Sequence, residues 1–352
     1  MRRKKSSNGS GRSVDMMALL ALVEKFAGKR IVLYGDFVAD EFQYGDITRV
    51  SREAPVLILR HRETHVLPGG GANAANNLAA LGARVAPVTA VGDDASGTAL
   101  IAYFREKSVD TSGVVRVKQW TTPTKTRYLA GFTHTIAQQV LRIDREPNGE
   151  LPEATRGKLR RILASKLRNA DALAVSDYGF GVASPEAVKQ SVSVRHKRMP
   201  VTLDSRFQLH AYTKAGVTSA TPNEAELEAL YHTSIGKNLS ELDRCGKATL
   251  QAMRLEALLV TRGRDGMALF DRGERTTHIP VHGSDQAVDV TGAGDTVLAA
   301  YTLALACGGS ALEAAHIANI AGGLVVMKRG TATVTREELL NAIRSAAAGD
   351  NS

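Results

Sequence analysis

The sequence is poor in cysteine and lacks the spacings of common metal-binding motifs. Only two cysteines, Cys245 and Cys307, occur in 352 residues, and they lie far apart in helix-like contexts. This usage is typical of buried structural thiols in a reducing compartment, so we expect a cytoplasmic protein. The nine histidines form no H-E-x-x-H pattern and no Cys/His ligand spacing, so a zinc site is not expected.

Long apolar runs are also missing. No run approaches the roughly 18 to 20 residues needed to span a bilayer, so no membrane partner is expected. The start, MRRKKSSNGSGR, is basic but has no apolar segment, which excludes a secretory signal. Its five cations supply more than half of the net charge of +9. We expect residues 1–14 to be a disordered basic tail, with nucleic-acid binding as the less favoured alternative.

From residue 30 onward, apolar strand-like segments alternate with helical ones. Helix-end signals include Gly82 after ANAANNLAALG, Ser184 followed by Pro185, and Ser310 with Glu313 in capping-box spacing before a helix expected to end at residues 328–330. The predicted strands are 30–36, 85–93, 172–179, 200–206 and 257–263. This alternation predicts an α/β fold with a central, mostly parallel β-sheet flanked by helices.

Two strand-rich stretches interrupt this alternation. Residues 41–67 and 124–144 are strand-like with little helix between. We expect them to form a small β-sheet inserted into a single domain of residues 15–348. Such an insertion suits a lid over a site or an oligomer interface, whereas plain edge hairpins are the alternative.

The segment DVTGAGDTVLAAYTLALA, residues 289–306, carries the most direct chemical signal. A Gly-Ala-Gly turn precedes Asp295, and the apolar run behind it predicts a buried helix. A helix N-terminus offers free backbone N–H groups to an anion, and Gly292 and Gly294 let the backbone approach closely. Phosphoryl transfer needs such donors and a base for the attacking hydroxyl, so Asp295 is the candidate base. An acidic N-cap is the alternative.

The same segment resembles the C-terminal signature of the ribokinase-like (PfkB) carbohydrate kinases. PGGGANAANNLAALGARVAPVTAVGDD, residues 68–94, resembles their N-terminal signature, and the likeness extends over about residues 30–345. Within that family the strongest likeness is to the heptose 7-phosphate kinases of ADP-heptose synthesis. Those kinases are often fused to a nucleotidyltransferase domain, and we expect no such domain within these 352 residues. The segments that carry this likeness are GDFVADEFQYGDITRVSREAPV, QQVLRID, SDYGFG, TPNEAELEA, LLVTRGRDGM and KRGTATVT.

The resemblance implies a ribokinase-like fold and an ATP- and Mg²⁺-dependent reaction. The γ-phosphate would pass to O1 of D-glycero-D-manno-heptose 7-phosphate, giving the 1,7-bisphosphate for the lipopolysaccharide core precursor ADP-heptose. It implies Asp295 as the base, with an anion hole from the amides of Gly292, Ala293 and Gly294. It also implies a homodimer formed through the small sheet. A monovalent cation, K⁺, is expected beside Asp289 and Thr291.

The resemblance places the nucleotide on three segments. PNEAE and TRGRDG match nucleotide motifs, and Glu226 is expected to hold Mg²⁺, directly or through water. A helix start with Asn223 as N-cap is the alternative reading of PNEAE, and a tight hairpin is compatible with TRGRDG. The candidate ATP-binding residues are Asn223, Glu224, Ala225, Glu226, Thr261, Gly263, Gly266 and Asn319.

On the sugar side, Asp36 ends the first strand, where α/β sheets place ligand contacts. Gly69, Gly70 and Asn73 match the family's GG-x-x-N substrate pattern. A dinucleotide fingerprint is discounted because the G-x-G-x-x-G spacing is absent. Cations of the inserted strands would bind a substrate phosphate, although solvated charges are the alternative. These cations and their polar neighbours are Arg49, Arg52, Lys125, Arg127, Gln138, Gln139 and Arg142.

Three positions depart from the heptose kinase pattern. Gly179 and Phe180 stand where a small residue and Lys are usual, Arg206 closes the triplet DSR where DPK is usual, and Arg52 replaces a Pro. These changes alter the cations near the predicted site. They leave open a PfkB-family kinase for another sugar or sugar phosphate. The alternative of another class is a non-catalytic family member acting as a binding protein.

Overall fold

The computed structural model describes residues 14–131, 137–193, 199–283 and 286–349. Residues 1–13, nearly all of the predicted basic tail, lie outside the described residues. The strands are β1 (Arg30–Gly35), β2 (Phe37–Val50), β3 (Leu57–Gly70), β4 (Arg84–Gly92), β5 (Val114–Val117), β6 (Thr124–Gly131), β7 (Gln138–Arg145), β8 (Ala172–Asp177), β9 (Val201–Ser205), β10 (Ser219–Ala220), β11 (Ala257–Thr261), β12 (Met267–Asp271) and β13 (Thr277–Ile279). The helices are α1 (Met16–Glu24), α2 (Gly71–Ala80), α3 (Ala95–Glu106), α4 (Glu153–Leu167), α5 (Pro185–Ser193), α6 (Glu224–Tyr231), α7 (Leu239–Met253), α8 (Ala293–Ala306), α9 (Ala311–Val325) and α10 (Arg336–Gly349).

The main sheet of the described chain has nine strands in the order β13-β12-β11-β10-β9-β8-β1-β4-β5. The strands from β11 to β5 pair in parallel, and β12 and β13 add antiparallel pairs at one edge. The mostly parallel sheet predicted from the sequence is confirmed. Because the parallel strands share one direction, the segments that follow β1, β8, β9, β10 and β11 emerge at one edge of the sheet.

Apolar layers cover both faces of the main sheet. Leu78 of α2, Leu298 of α8 and Ile317 of α9 belong to the layer on one face, and Leu163 of α4 and Leu242 of α7 belong to the other. Each fully buried side chain of this size contributes about 1.5–3 kcal/mol, so these layers dominate the stability of the fold. No helix of the described residues is long and apolar enough to cross a membrane.

The buried helix predicted after the Gly-Ala-Gly turn is confirmed as α8. Its residues from Asp295 to Ala304 are all buried, and its position between the sheet and α9 requires this composition. Thr302 turns its hydroxyl toward the sheet, where it lies 2.6 Å from the hydroxyl of Thr202 on β9. This polar contact satisfies two buried hydroxyls and fixes α8 against the strand.

Helix caps follow the local sequence signals. Ser310 and Glu313 form the predicted capping box at α9, which stabilises a helix by about 1 kcal/mol. The prediction that this helix ends at residues 328–330 is wrong, because α9 ends at Val325. Lys328 lies in the segment after the helix, where its side chain donates to Thr333 O and to Glu338 of α10.

A second sheet of four strands, the small sheet, has the order β3-β2-β6-β7. The β2/β3 and β6/β7 pairs are antiparallel, and the β2/β6 pair is parallel. The strand-rich stretches at 41–67 and 124–144 thus combine into one sheet rather than two edge hairpins. Only Asp36 separates β1 from β2, so the small sheet starts directly at the carboxyl edge of the main sheet.

Candidate active site

Asp295 lies in the first turn of α8 and is 3% exposed. The N-cap of this helix is Gly292, which has a left-handed conformation with φ of 75°. A Cβ at Gly292 would lie 2.3 Å from Asn73 Nδ2, so a side chain here would be strained and would displace Asn73. The acidic N-cap alternative for Asp295 is therefore wrong, and its side chain is available for other partners.

The Asp295 carboxylate accepts one hydrogen bond on each oxygen. Asn73 Nδ2 lies 2.9 Å from Oδ2, and the Tyr178 hydroxyl lies 2.9 Å from Oδ1. Burial raises the pKa of Asp295 to about 7, although the two donors act to lower it. A carboxyl group with a pKa near neutrality can take up a proton during a reaction and release it afterward.

Asn73 is itself fixed by a network between α2 and α8. Its Nδ2 also lies 3.3 Å from Gly292 O. Asn77, one turn later on α2, donates to Asn73 O and Oδ1 at 3.1 and 3.2 Å. The Thr296 hydroxyl of α8 donates to Asn77 Oδ1 at 3.1 Å. These contacts determine which end of the Asn73 amide faces Asp295.

The carboxylate of Asp36, predicted to contact the sugar, is occupied by contacts within the protein. It is 0% exposed, and its carboxylate accepts the backbone amides of Tyr178, Phe180 and Val182 at 2.8 to 3.1 Å. Burial, together with the charge of Asp177, raises its pKa to about 6. The carboxylate therefore holds the loop of residues 178–182, and its burial leaves neither oxygen exposed to a ligand. These contacts do not support the predicted role of Asp36 as a sugar contact.

Asp40 lies four residues later on β2. Unlike that of Asp36, its carboxylate accepts no amide of the 178–182 loop among the described residues. It lies beside the predicted glycines, since a Cβ at Gly69 would be 2.5 Å from Asp40 Oδ2. Arg127 Nη1 of β6 lies 2.6 Å from Asp40 Oδ1. The Asp40 charge also acts to raise the pKa of Asp295. Sequence reasoning missed Asp40, although it is the second acid of GDFVAD.

A cluster of cations lies between the small sheet and the main sheet. Burial lowers the pKa of Lys125. The neighbouring charges of Arg142, Arg206 and Arg127 lower it further, whereas Asp40 opposes them. Arg142 is paired with Asp144 through two contacts of 2.7 and 2.6 Å. Such a concentration of positive charge favours an anionic ligand.

The structure does not bring Arg49, Arg52 and Gln139 to this cluster. Arg49 lies nine residues beyond Asp40 along β2, roughly 30 Å at about 3.3 Å per residue. Arg52 follows in the exposed segment between β2 and β3. Gln139 is exposed and pairs with Leu129, toward the far end of β6. Their predicted contacts with a substrate phosphate lack support within one protomer.

A cavity of about 410 Å³ lies on the other side of the α8 N-terminus. Its apolar wall includes Met267, Val281 and Val297, which suits a flat aromatic ligand. Gly266 permits a close approach, since its φ is 78° and a Cβ would lie 2.1 Å from Ile279 O. The predicted residues that line this cavity are Thr261, Gly263, Gly266, Asn319, Ala293 and Gly294. Asn319 also anchors the cavity wall, because its Nδ2 donates to Pro280 O at 2.8 Å.

The PNEAE segment forms the start of α6. Asn223 and Glu226 make a capping box with contacts of 2.8 and 2.9 Å, which confirms the N-cap alternative. Asn223 forms a parallel bridge with Thr261, so the helix start adjoins the cavity without lining it. Glu224 is paired with Arg262, and Ala225 is exposed.

Glu226 faces a second carboxyl group that sequence reasoning did not select, Asp204. Burial raises the pKa of Glu226. Burial and then the charge of Glu226 raise the pKa of Asp204 well above its usual range. The two acids lie 22 residues apart, and no local motif joins them. In the described part of the chain, no group of three or more acidic, histidine or cysteine side chains is arranged to hold a metal.

Asp289 joins two loops before α8. Its oxygens accept the amides of Thr291 and Gly330, each at 2.9 Å. Burial acts to raise its pKa, but these hydrogen bonds outweigh burial and hold the pKa below its usual value. Asp289 therefore fixes the turn that leads into Gly292.

Two of the three departures from the heptose kinase pattern, at residues 179–180 and at Arg206, follow β8 and β9 at the same edge of the main sheet. Gly179 has a φ of 81°, and a Cβ there would lie 3.2 Å from the Phe207 ring. The Arg206 guanidinium lies 5.2 Å from the centroid of that ring. The positive charge of Arg206 acts to lower the pKa of both Lys125 and Glu226. Arg206, where the heptose kinase pattern has a lysine, thus keeps a cation between the cluster on the small sheet and the acids Glu226 and Asp204.

The fold and this arrangement define a phosphotransferase that acts on a sugar hydroxyl, with a ribokinase-like architecture. The chain belongs to the pfkB family of carbohydrate kinases, whose pattern matches residues 29–338. The recognition made from the two signature segments is confirmed.

Curated relatives agree with this assignment. The chain is 40% identical over 314 residues to the bifunctional protein HldE of Geobacter metallireducens, covering 89% of this chain and 62% of the relative. It is 40% identical over 326 residues to the bifunctional protein HldE of a Caulobacter species, covering 92% and 64%. The chain thus spans about three fifths of the length of these relatives.

Solved structures share the fold. Arabidopsis thaliana ribokinase, complexed with ribose and ATP, matches with a TM-score of 0.69 at 22% identity, covering 90% of this chain and 99% of that one. Escherichia coli phosphofructokinase-2, in complex with potassium, matches with a TM-score of 0.73 at 20% identity, covering 91% and 99%. At these identities the likeness supports the architecture alone.

Proposed function

We propose that the chain transfers the γ-phosphate of ATP to O1 of D-glycero-D-manno-heptose 7-phosphate, giving the 1,7-bisphosphate in ADP-heptose synthesis. One observation carries this proposal. The Asp295 carboxylate stands at a helix N-terminus between an apolar cavity and a cluster of cations. The relatives named bifunctional protein HldE support the heptose as the substrate, because the resemblance covers about nine tenths of this chain.

Asp295 acts as the base that takes the proton from the O1 hydroxyl. An anomeric hydroxyl is more acidic than an ordinary alcohol, so a carboxylate with a pKa of about 7 suits it. The Gly294 amide lies in the first turn of α8, where a helix offers no internal acceptor, and it stabilises the transferred phosphoryl group. The Ala293 amide contributes less than predicted, since it already donates to Val290 O at 3.2 Å.

The nucleotide occupies the 410 Å³ cavity, with its base against the apolar wall and its phosphates toward Gly263 and Gly294. Glu226 and Asp204 would hold Mg²⁺, directly or through water, because a divalent cation stabilises two neighbouring carboxylates whose pKa values burial raises. The cation would also bind the ATP phosphates and neutralise charge on the transferred group. K⁺ near Asp289 and Thr291 remains a prediction, in which it would bind the second lone pair that each Asp289 oxygen keeps beside the amide it accepts.

We assign the sugar hydroxyls to Asp40 and Asn73, which border the Asp295 carboxylate. The 7-phosphate of the substrate binds the cation cluster formed by Lys125, Arg127 and Arg206. Phe180 supports a second candidate, a kinase for another sugar phosphate, because it stands where the heptose kinase pattern usually has a lysine, so this chain lacks that positive charge.

We further propose that two copies associate through the small sheet in the cytoplasm. Several apolar side chains of this sheet are exposed, and contiguous exposed apolar surface commonly marks an interface. These side chains are Val50, Leu57, Val140, Leu141 and Ile143, and Val56 is also exposed in the segment between β2 and β3. Light scattering of the wild type and of Leu141→Asp tests this: a dimer that the substitution dissociates is expected, and a wild-type monomer contradicts it.

The substrate is tested by ADP release from ATP and Mg²⁺ with the heptose 7-phosphate, beside ribose, fructose 1-phosphate and fructose 6-phosphate. Selective turnover of the heptose is expected. Selective turnover of another sugar would retain the kinase and reject the heptose. ATP binding without turnover of any of the four would favour the non-catalytic alternative.

A further inference from the structure

We propose that Tyr178 is a positioning residue for the Asp295 base, whose hydroxyl fixes the carboxylate in one orientation toward the substrate hydroxyl. This inference rests on the proposed function, in which Asp295 accepts the proton. Tyr178 is the first residue of the loop that follows β8, and it lies in the SDYGFG segment, although sequence reasoning gave it no role.

The geometry at Asp295 explains why a second donor matters. Asn73 donates to Oδ2 and Tyr178 to Oδ1, each at 2.9 Å. With Asn73 alone, the carboxylate could still rotate about its Cβ–Cγ bond. A donor on each oxygen prevents that rotation, and each oxygen keeps a second lone pair for a substrate hydroxyl.

Tyr178 is held in place along its length. Its backbone amide donates to Asp36 Oδ2 at 2.8 Å, and Lys125 Nζ of the small sheet lies 5.6 Å from its ring centroid. Gly70 leaves room for the ring, since a Cβ there would lie 3.3 Å from Tyr178 Cε2. This arrangement gives the buried Asp36 a role, because the loop that it holds carries the second donor to the base.

The charges around the two groups support donation from Tyr178 to Asp295. Burial and the Asp295 charge hold the pKa of the Tyr178 phenol well above its usual range, so the hydroxyl stays protonated at working pH. Besides Tyr178 and Asn73, the groups facing Asp295 are Asp40 on β2, Lys125 on β6 and Asp204 on β9. Removing one hydroxyl leaves those charges unchanged, so a change in the Asp295 pKa reports the lost donor.

Tyr178→Phe removes the hydroxyl and keeps the ring. A donor to an ionised group stabilises the ionised form, so its loss raises the pKa of Asp295. We expect the acid limb of the kcat/KM profile for the heptose 7-phosphate to move up by about one pH unit. The affinity for ATP should not change. The matched control is Tyr231→Phe. The Tyr231 hydroxyl lies 3.0 Å from Thr249 Oγ1 at the far end of α6, and its removal should leave the pH profile unchanged.

A Tyr178→Phe enzyme with the wild-type acid limb and wild-type kcat would overturn the inference. If that variant fails to fold, a fluorinated tyrosine at position 178 provides the test with the opposite sign. Its phenol is a stronger donor, so the acid limb should move to lower pH, and an unmoved limb would overturn the inference. Asp295→Asn distinguishes failure of this inference from failure of the proposed function. If Asp295→Asn is inactive and Tyr178→Phe is unaffected, only the role of Tyr178 is rejected. If Asp295→Asn is active, the proposed base is rejected.

Discussion

Arg127 Nη1 and Asp40 Oδ1 lie 2.6 Å apart in an ion pair whose side chains are 13% and 5% exposed. The pair joins β6 to β2 where the small sheet meets the predicted sugar site. A nearly buried charge that loses its partner is costly, so this contact couples the stability of the small sheet to the charge of the site.

Arg127→Met should destabilise the protein by about 3–5 kcal/mol, because Asp40 is left nearly buried without its partner. The double variant with Asp40→Asn should recover much of this loss and still bind the sugar poorly. Thermal unfolding and KM for the heptose 7-phosphate check both effects. In the exposed pair with Asp46, Arg60→Met should cost about 0–1 kcal/mol. Equal losses for the two arginine variants would contradict this account.

The raised pKa of Asp295 predicts the pH dependence of activity and of stability. Since the base works when deprotonated, kcat/KM should rise with pH through about pH 7. The folded state holds a proton that the unfolded state releases near its ordinary pKa of 3.8. Its contribution to stability is therefore full below about pH 4 and is lost as pH rises through about 7.

Asp295→Asn removes this titration. Relative to the variant, the wild type should lose up to about 4 kcal/mol of unfolding free energy between pH 4 and pH 8, since one pKa unit corresponds to about 1.4 kcal/mol. Denaturant unfolding at several pH values measures this difference. A difference that stays constant across the range would show that Asp295 has an ordinary pKa.

Gly292 and Gly294 should respond differently to the same substitution. Gly292→Ala imposes a left-handed conformation on a residue with a side chain, at about 1–2 kcal/mol, and its Cβ would displace Asn73. Loss of both stability and turnover is expected. Gly294 is exposed, and a Cβ there meets nothing within 4 Å, so Gly294→Ala should keep the wild-type melting temperature. Equal destabilisation of the two variants would contradict the described turn.

Glu226→Gln separates helix capping from metal binding. Glutamine supports a capping box as glutamate does, so α6 should keep its stability. Loss of the negative charge should weaken the apparent affinity for Mg²⁺ about tenfold, a change of about 1.4 kcal/mol. Titration of turnover with Mg²⁺ measures this effect. Glu313→Gln in the capping box of α9 is the control and should leave the titration unchanged.

The sequence predicted the features whose signals are local. The Gly-Ala-Gly turn before α8, the capping box of α9 and the alternation of the main sheet depend on neighbouring residues, and the structure contains all three. The recognisable family signatures likewise located Gly292, Asn73 and the cavity residues near Thr261.

The remaining parts of the site depend on contacts between distant segments. Asp36 and Asp40 are both acids after an apolar strand, and only the loop of residues 178–182, more than 130 residues later, decides which of them is free. Tyr178 follows the end of β8, and Asp204 is the penultimate residue of β9. Nothing local to these residues shows that both approach the start of α8, because the pairing order of the sheet places them there.

The most direct test of the central claim is ³¹P NMR of the reaction of ATP, Mg²⁺ and D-glycero-D-manno-heptose 7-phosphate with the wild type and with Asp295→Asn. We predict an anomeric phosphate signal from the wild type, and no such signal from Asp295→Asn although it still binds ATP. A new phosphate at another carbon, or a wild-type rate from Asp295→Asn, would contradict the account.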